Sequence, residues 1–197
     1  MRAPMSMGPV PFELQPFGGA AERSGLGLEG VRLRGQAAVE RGAQEVILRI
    51  DYQLVADLGE SPTALLVPPT AEQPSRRDGL WEHTCLEAFV AASDGDPYWE
   101  LNLAPSGDWA VYRFDGYRSG QQSPPLQRPP FTTSTRQDGL DLQLRWPLPA
   151  ELAAAGRLSL GITAVLEQRN SAISYWALHH PGPEADFHLR EGFTLEL

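Results

Sequence analysis

Apolar and polar positions alternate along much of the chain. The clearest case is Leu140–Trp146, where Leu140, Leu142, Leu144 and Trp146 are interleaved with Asp141, Gln143 and Arg145. A period of two marks a strand with one buried and one wet face. Further β segments are expected in the looser alternation of Val31, Leu33 and Val39, and at Glu45–Val55, Ala64–Val67, Trp81–Ala92, Tyr98–Ala104, Trp109–Phe114, Leu158–Leu166, Ile173–Leu178 and Phe193–Leu197. The separators SDGDP and PSGD supply the Asp, Gly and Pro that tight turns require. Only Pro149–Ala155 reads as helix, one or two turns behind a proline start. Two stretches, Pro68–Gly79 and Arg118–Pro130, read as loops, and the second is proline-rich enough to be a flap or an extended wrap over a sheet. About ten short antiparallel strands predict a mostly β fold: an antiparallel β-sandwich of jelly-roll or immunoglobulin-like kind, formed as one domain over residues 1–197.

Composition narrows the partners. Gly 19 and Pro 18 among 197 residues break the chain too often for a helical bundle. A formal charge of −9 argues against nucleic acid or an anionic membrane as the main partner. All 16 basic residues are Arg, so any basic group is a planar guanidinium fork. The single cysteine, Cys85, excludes an internal disulfide and a CxxC metal site. No apolar stretch has the length of a membrane span, and the first residues show no secretory apolar core, so a cytoplasmic location is expected.

The chemistry concentrates between Gly79 and Arg118, which hold three of the five Trp and three of the five Tyr. On a strand from Trp81, side-chain alternation puts Leu86, Ala88 and Val90 on one face and Trp81, His83, Cys85, Glu87 and Phe89 on the other. The following strand sets Tyr98, Glu100 and Asn102 against Trp99, Leu101 and Leu103. Flat rings beside carboxylate, amide and guanidinium suit a sugar, whose C–H faces stack on aromatics while its hydroxyls take bidentate hydrogen bonds. Glu87 and Glu100 stand out because each is flanked by apolar residues, and a withdrawn acid needs a partner. Arg113 is the expected one, and a carboxylate paired with it stays ionised near neutral pH.

The run Trp81-Glu82-His83-Thr84-Cys85-Leu86-Glu87-Ala88-Phe89-Val90 resembles the "W…D-x-V-E-hydrophobic-F" strand of family 9 carbohydrate-binding modules. Tyr98-Trp99-Glu100-Leu101-Asn102-Leu103-Ala104-Pro105-Ser106-Gly107 is similar to that group's "Y-x-F-x-V-N-P-x-G" strand and turn. These modules belong to a DOMON-like β-sandwich superfamily whose members bind sugars or haem, and the closing SYWALHHPGPEADFHLREGFTLEL looks like small bacterial DOMON-like proteins. The resemblance implies that Trp81 and Trp176 form the aromatic pair around a sugar. It implies hydroxyl-binding roles for Glu87 and Asn102, with Glu100 and Arg113 beside them. The chain departs from the pattern where Thr84 or Cys85 replaces the family's Asp, and the family's calcium-binding acids have no counterpart. The haem branch uses Met and His, yet the only Met residues are Met1, Met5 and Met7; no cofactor is expected.

The favoured reading is therefore non-catalytic binding of a small carbohydrate or similar polyhydroxylated ligand. Two enzyme alternatives remain open. Glu87 and Glu100, if directly opposed, would have a glycosidase-like separation, and His180 with His188 could contribute to a metal site. A third alternative is an interaction domain whose aromatics only fill a core.

Overall fold

The computed structural model describes residues 8–61, 63–125 and 131–197; residues 126–130 of the predicted Arg118–Pro130 loop lie outside the described residues. Two antiparallel sheets pack face to face. The first contains β1 (Val10–Glu13), β3 (Arg32–Arg41), β4 (Val46–Val55), β8 (Phe131–Arg136) and β9 (Gly139–Pro147), in the order β1-β3-β4-β9-β8. The second contains β2 (Gln15–Pro16), β5 (Cys85–Ala92), β6 (Tyr98–Leu103), β7 (Trp109–Phe114), β10 (Leu158–Glu167), β11 (Ile173–Ala177) and β12 (Leu195–Glu196). Its order is β2-β11-β10-β5-β6-β7, with β12 also paired to β10. The sandwich matches the expected fold class, with twelve strands among the described residues. Three were not expected, β1, β2 and β8, which are short or too polar to show a period, while the expected strand Ala64–Val67 makes only an isolated bridge from Leu65 to Gln168.

The alternation read from sequence decides what fills the interior. In β4, Leu48, Ile50, Tyr52 and Leu54 point inward, and in β9 Leu140, Leu142, Leu144 and Trp146 do the same. The second sheet answers with Leu86, Ala88 and Val90 from β5, Trp99, Leu101 and Leu103 from β6, and Ile162, Ala164 and Leu166 from β10. Trp99 and Trp146 meet between the sheets with centroids 5.5 Å apart. Each such buried side chain contributes about 1.5–3 kcal/mol relative to an exposed one. The predicted helix is a single turn, Ala150–Ala153, behind Pro149, and seats Leu152 on this core; it is not alone, since Gly19–Gly25 forms a second, unexpected helix with no buried residue and hence no apolar stripe to read.

The sheets differ on their outer faces. The outer face of β3, β4 and β9 is wet, carrying contacts such as Arg145–Glu40 and Gln36–Asp51. In β5, β6 and β10, by contrast, nearly every residue is buried. A strap of residues 178–193 covers that second face and seats Phe187, His188 and Phe193 against Phe89, Tyr98 and Phe114. Gly161 in β10 makes the fit possible: a Cβ there would stand 2.8 Å from the Phe193 ring.

The described parts of both predicted loops wrap the edge of β7. Arg76 bridges to Trp109 on one stretch of the strand, and Gln122 pairs with Arg113 on another. The Arg76 guanidinium donates to the carbonyls of Pro124 and Val111, each at 2.5 Å, and lies over the rings of Trp109 and Tyr112. An otherwise open strand edge is thereby closed.

Candidate functional site

Under the strap lies a cavity of about 400 Å³ whose floor is the outer face of the second sheet. Strand register explains its floor. Glu87 is paired across to Thr163 and Asn102, Phe89 to Glu100, and Glu100 in turn to Tyr112. Glu87, Phe89, Glu100, Tyr112, Phe114, Val165 and Tyr175 therefore share one face. Phe187 and His188 come down from the strap, Arg118 and Gln121 from the loop after β7, and Trp81 closes one side.

Each polar group is held by identifiable partners. Thr163 Oγ1 donates to Glu87 Oε2 at 2.9 Å, and Asn102 Nδ2 donates to Glu100 Oε1 at 2.6 Å. From the opposite sheet, the Tyr52 hydroxyl crosses the core to donate to the Glu87 carbonyl oxygen at 2.8 Å. The Arg118 backbone N–H donates to the Tyr98 hydroxyl at 3.2 Å, which leaves the Tyr98 proton for Nδ1 of His188, 2.7 Å away. That assignment sets the proton of the neutral ring on Nε2, 3.8 Å from Glu100 Oε2. Arg118 sits at a φ of 48° and pairs with Asp186 at 2.9 Å; Asp186 also receives the Tyr117 hydroxyl.

Burial controls the charges. Glu87 is 2% exposed, and desolvation, reinforced by the charge on Glu100, raises its pKa to about 8. The carboxyl is therefore protonated at neutral pH. Burial also raises Glu100, opposed by the Asn102 hydrogen bond and the Arg118 charge. His188 is lowered to about 4, chiefly by burial and then by Arg118, so its contact with Glu100 is not an ion pair at pH 7. Burial pushes the Cys85 thiol up, as expected of an inert core cysteine.

The structure brings together Trp81, Glu87 and Glu100 at the cavity, with Asn102 buried beneath as the group that holds Glu100. Trp81 reaches it from a 3-10 turn (Leu80–Glu82) behind left-handed Gly79, rather than from the expected strand, which starts only at Cys85. Trp81 is 42% exposed and meets the Tyr112 ring edge-on, with centroids 6.2 Å apart.

Two expected residues are elsewhere. Trp176 is fully buried in the inter-sheet core, its Nε1 donating to Ser174 Oγ. It is paired to Ala164, an inward position, so the alternation gives the outward place to Tyr175. The Trp81–Trp176 pair therefore does not form. Arg113 faces the same way as Trp99, opposite it in register, and binds Glu151 and Asp115 at the rim of the sandwich. With Arg113 on the other face, the expected guanidinium partner of Glu87 is missing there, and so is the expected ionisation.

The alternatives also meet the register. Glu87 and Glu100 are diagonal, not directly opposed as the glycosidase reading required. His180 gives its Nε2 to the Gln15 carbonyl and packs on Phe17, while His188 is engaged with Tyr98. No group of three or more His, Cys, Asp or Glu is placed to hold a metal among the described residues. The residues missed in sequence are Tyr112, Phe114 and Tyr175, which strand register alone reveals, and Arg118 and Phe187, which loops deliver together with His188, expected only as a metal ligand.

No family model and no curated protein sequence matches the chain. Among solved structures, a Bacteroides uniformis protein proposed to bind carbohydrate is similar, with a TM-score of 0.57. It is 10% identical, over 83% of this chain and 77% of its own. The chain shares its β-sandwich fold. Two structures of a family 9 carbohydrate-binding module from Caldicellulosiruptor kristjanssonii, in complex with cellotriose and with glucose, align with TM-scores of 0.47 and 0.43. They are 12% and 11% identical and cover 84% and 83% of this chain, and 73% and 75% of their own.

Proposed function

We propose that the protein binds a mono- or disaccharide, or a similar polyhydroxylated molecule, in the cavity beneath the strap. The observation that carries this reading is one chamber with aromatic rings for walls and buried hydrogen-bonding groups for a floor. Trp81, Tyr112, Phe114, Tyr175 and Phe187 supply ring surface, and Glu87, Glu100, His188 and Arg118 supply donors and acceptors. Protonated Glu87 donates, the free Glu100 carboxyl oxygen accepts, and the Arg118 guanidinium at the mouth serves vicinal oxygens. About 400 Å³ is within the range of small-molecule sites. The fold shared with a protein proposed to bind carbohydrate agrees with this reading.

Calorimetry and quenching of tryptophan fluorescence, run across a panel of mono- and disaccharides, test it. A ligand of this size in a partly open site binds with micromolar to millimolar affinity. Because Trp81 is half out of the fold, Trp81→Ala retains the parental unfolding midpoint and loses about two- to tenfold in affinity, the worth of one stacked ring. Parental affinity in that variant, or no heat from any sugar in the panel, refutes the proposal.

A further inference from the structure

The floor of the cavity carries more chemistry than binding requires. Two carboxyl groups project from neighbouring strands, at 2% and 6% exposure, into one aromatic chamber. Their register is diagonal, since Glu87 pairs with Asn102 and Phe89 with Glu100. Diagonal positions on a sheet face lie about 7–8 Å apart at the backbone, so two Glu side chains can reach adjacent atoms of one small molecule. Each has one oxygen engaged, Glu87 Oε2 by Thr163 and Glu100 Oε1 by Asn102. The second oxygen of Glu87 has no hydrogen-bond partner among the described residues, and the second of Glu100 faces the His188 ring at 3.8 Å. Glu87 holds its proton to about pH 8, and burial raises Glu100 as well, opposed there by the Asn102 hydrogen bond and the Arg118 charge. Two carboxyl groups, each with one oxygen left for a guest, thus stand side by side, as paired acid–base work requires.

We propose, building on the sugar-binding reading above, that this pocket interconverts the α and β anomers of a free aldose, with Glu87 as general acid and Glu100 as general base. The two reacting oxygens of a cyclic hemiacetal, the ring oxygen and the anomeric hydroxyl, are attached to the same carbon. Glu100 Oε2 removes the anomeric hydroxyl proton as Glu87 gives its proton to the ring oxygen. The bond from C1 to the ring oxygen breaks, and C1 becomes the aldehyde carbon of the open chain. Rotation about C1–C2 presents the other face of the carbonyl. On closure the ring hydroxyl returns its proton to Glu87, the carbonyl oxygen takes one back from Glu100, and both groups end as they began. Nothing is oxidised or reduced, and no co-reactant enters. The His188 ring, with Nε2 3.8 Å from Glu100 Oε2, walls the far side of that carboxyl group. The substrate class is a reducing sugar, because a glycoside has no anomeric hydroxyl proton to give.

The test uses the full chain and freshly dissolved α-D-glucose, α-D-galactose and α-D-xylose. Polarimetry and one-dimensional NMR of the anomeric protons follow interconversion, and saturation-transfer NMR follows binding in the same samples. The parent protein is expected to raise the rate in proportion to its concentration for at least one sugar. Glu87→Gln and Glu100→Gln are each expected to lose about 100-fold or more of that acceleration at saturating sugar, the usual worth of general acid–base help, beyond whatever binding saturation transfer shows them to lose. Circular dichroism checks that both variants are folded, and a folded one alone suffices to decide. Saturation transfer without acceleration overturns the mutarotase and leaves the binding reading intact, whereas absence of both overturns the two together. Parental acceleration in either Gln variant removes the assigned roles. Release of chromophore from aryl glycosides without anomer exchange replaces the inference with hydrolysis.

Discussion

Replacing Glu87 with Gln probes the electrostatics of the pocket floor through stability alone. The carboxyl titrates near 4.5 when free and near 8 in the fold, because burial and the Glu100 charge both resist its ionisation. Below about pH 4.5 it is protonated in both states and makes no difference between them. As pH rises from 4.5 to 8, the unfolded chain gives up this proton and the folded chain keeps it, so ionisation draws the equilibrium toward unfolding. Above 8 both states are ionised and the difference stops growing. At about 1.4 kcal/mol per pH unit, the parent forgoes roughly 3 kcal/mol at pH 7 and roughly 5 kcal/mol at pH 9. Gln keeps the shape and still accepts the Thr163 hydroxyl, but has no proton to lose. Urea unfolding of parent and Glu87→Gln at intervals from pH 5 to 9 should therefore show the variant gaining. Its advantage should grow from under about 1 kcal/mol to roughly 5 kcal/mol, a large share of a domain's ordinary stability. A difference that is flat or shrinks across this range refutes the reasoning, since it would mean that Glu87 is ionised in the fold.

Three further outcomes are expected. Trp176→Ala should cost about 3–5 kcal/mol in urea unfolding, as removal of a fully buried indole does, and a loss under about 1 kcal/mol would place the ring outside the core. Gly161→Val should cost roughly 1–3 kcal/mol by forcing the Phe193 ring off β10, and parental stability would show that the strap is not seated there. In an NMR titration His188 should turn over near pH 4, well below an ordinary imidazole. Since the unfolded chain takes that proton first, stability from this group is complete above about 6.5 and lost as pH falls toward 4; a midpoint above 6 would contradict the burial argument.

Strand parity accounts for both what is legible in the sequence and what is not. Leu140–Trp146 and the Tyr98–Leu103 segment assign their own faces, because six or more residues of alternation leave a single way to turn them inward. Alternation alone is enough to group Glu87, Glu100 and Asn102. In ISYWA the ring at Tyr175 and the ring at Trp176 compete for the same role, and five residues with both parities partly apolar do not choose between them. The core takes the larger indole. Arg113 misleads for a related reason: it adjoins Tyr112 and Phe114 in sequence but points away from both. A strand drawn through Trp81 overlooks Gly79, whose left-handed φ of 75° sets up a 3-10 turn instead. Arg118, Phe187 and His188 arrive from irregular segments, where no period exists to be read, and only tertiary packing brings them to β5 and β6.

The strap has a consequence for the order in which the molecule can be made. Residues 178–193 follow eleven of the twelve described strands, so a growing chain can assemble the second sheet before its roof exists. In that interval Phe89, Tyr98, Tyr112 and Phe114 form a bare aromatic strip, the kind of surface that neighbouring chains and chaperones grip. Arrival of Phe193 over Gly161, with Phe187 and His188 beside it, converts an adhesive sheet into a lined chamber. The residues that give the chamber its roof are thus also the ones that keep the protein from sticking to itself. A guest molecule gripping floor and roof at once would delay the roof's lifting, so occupancy and resistance to aggregation should rise together.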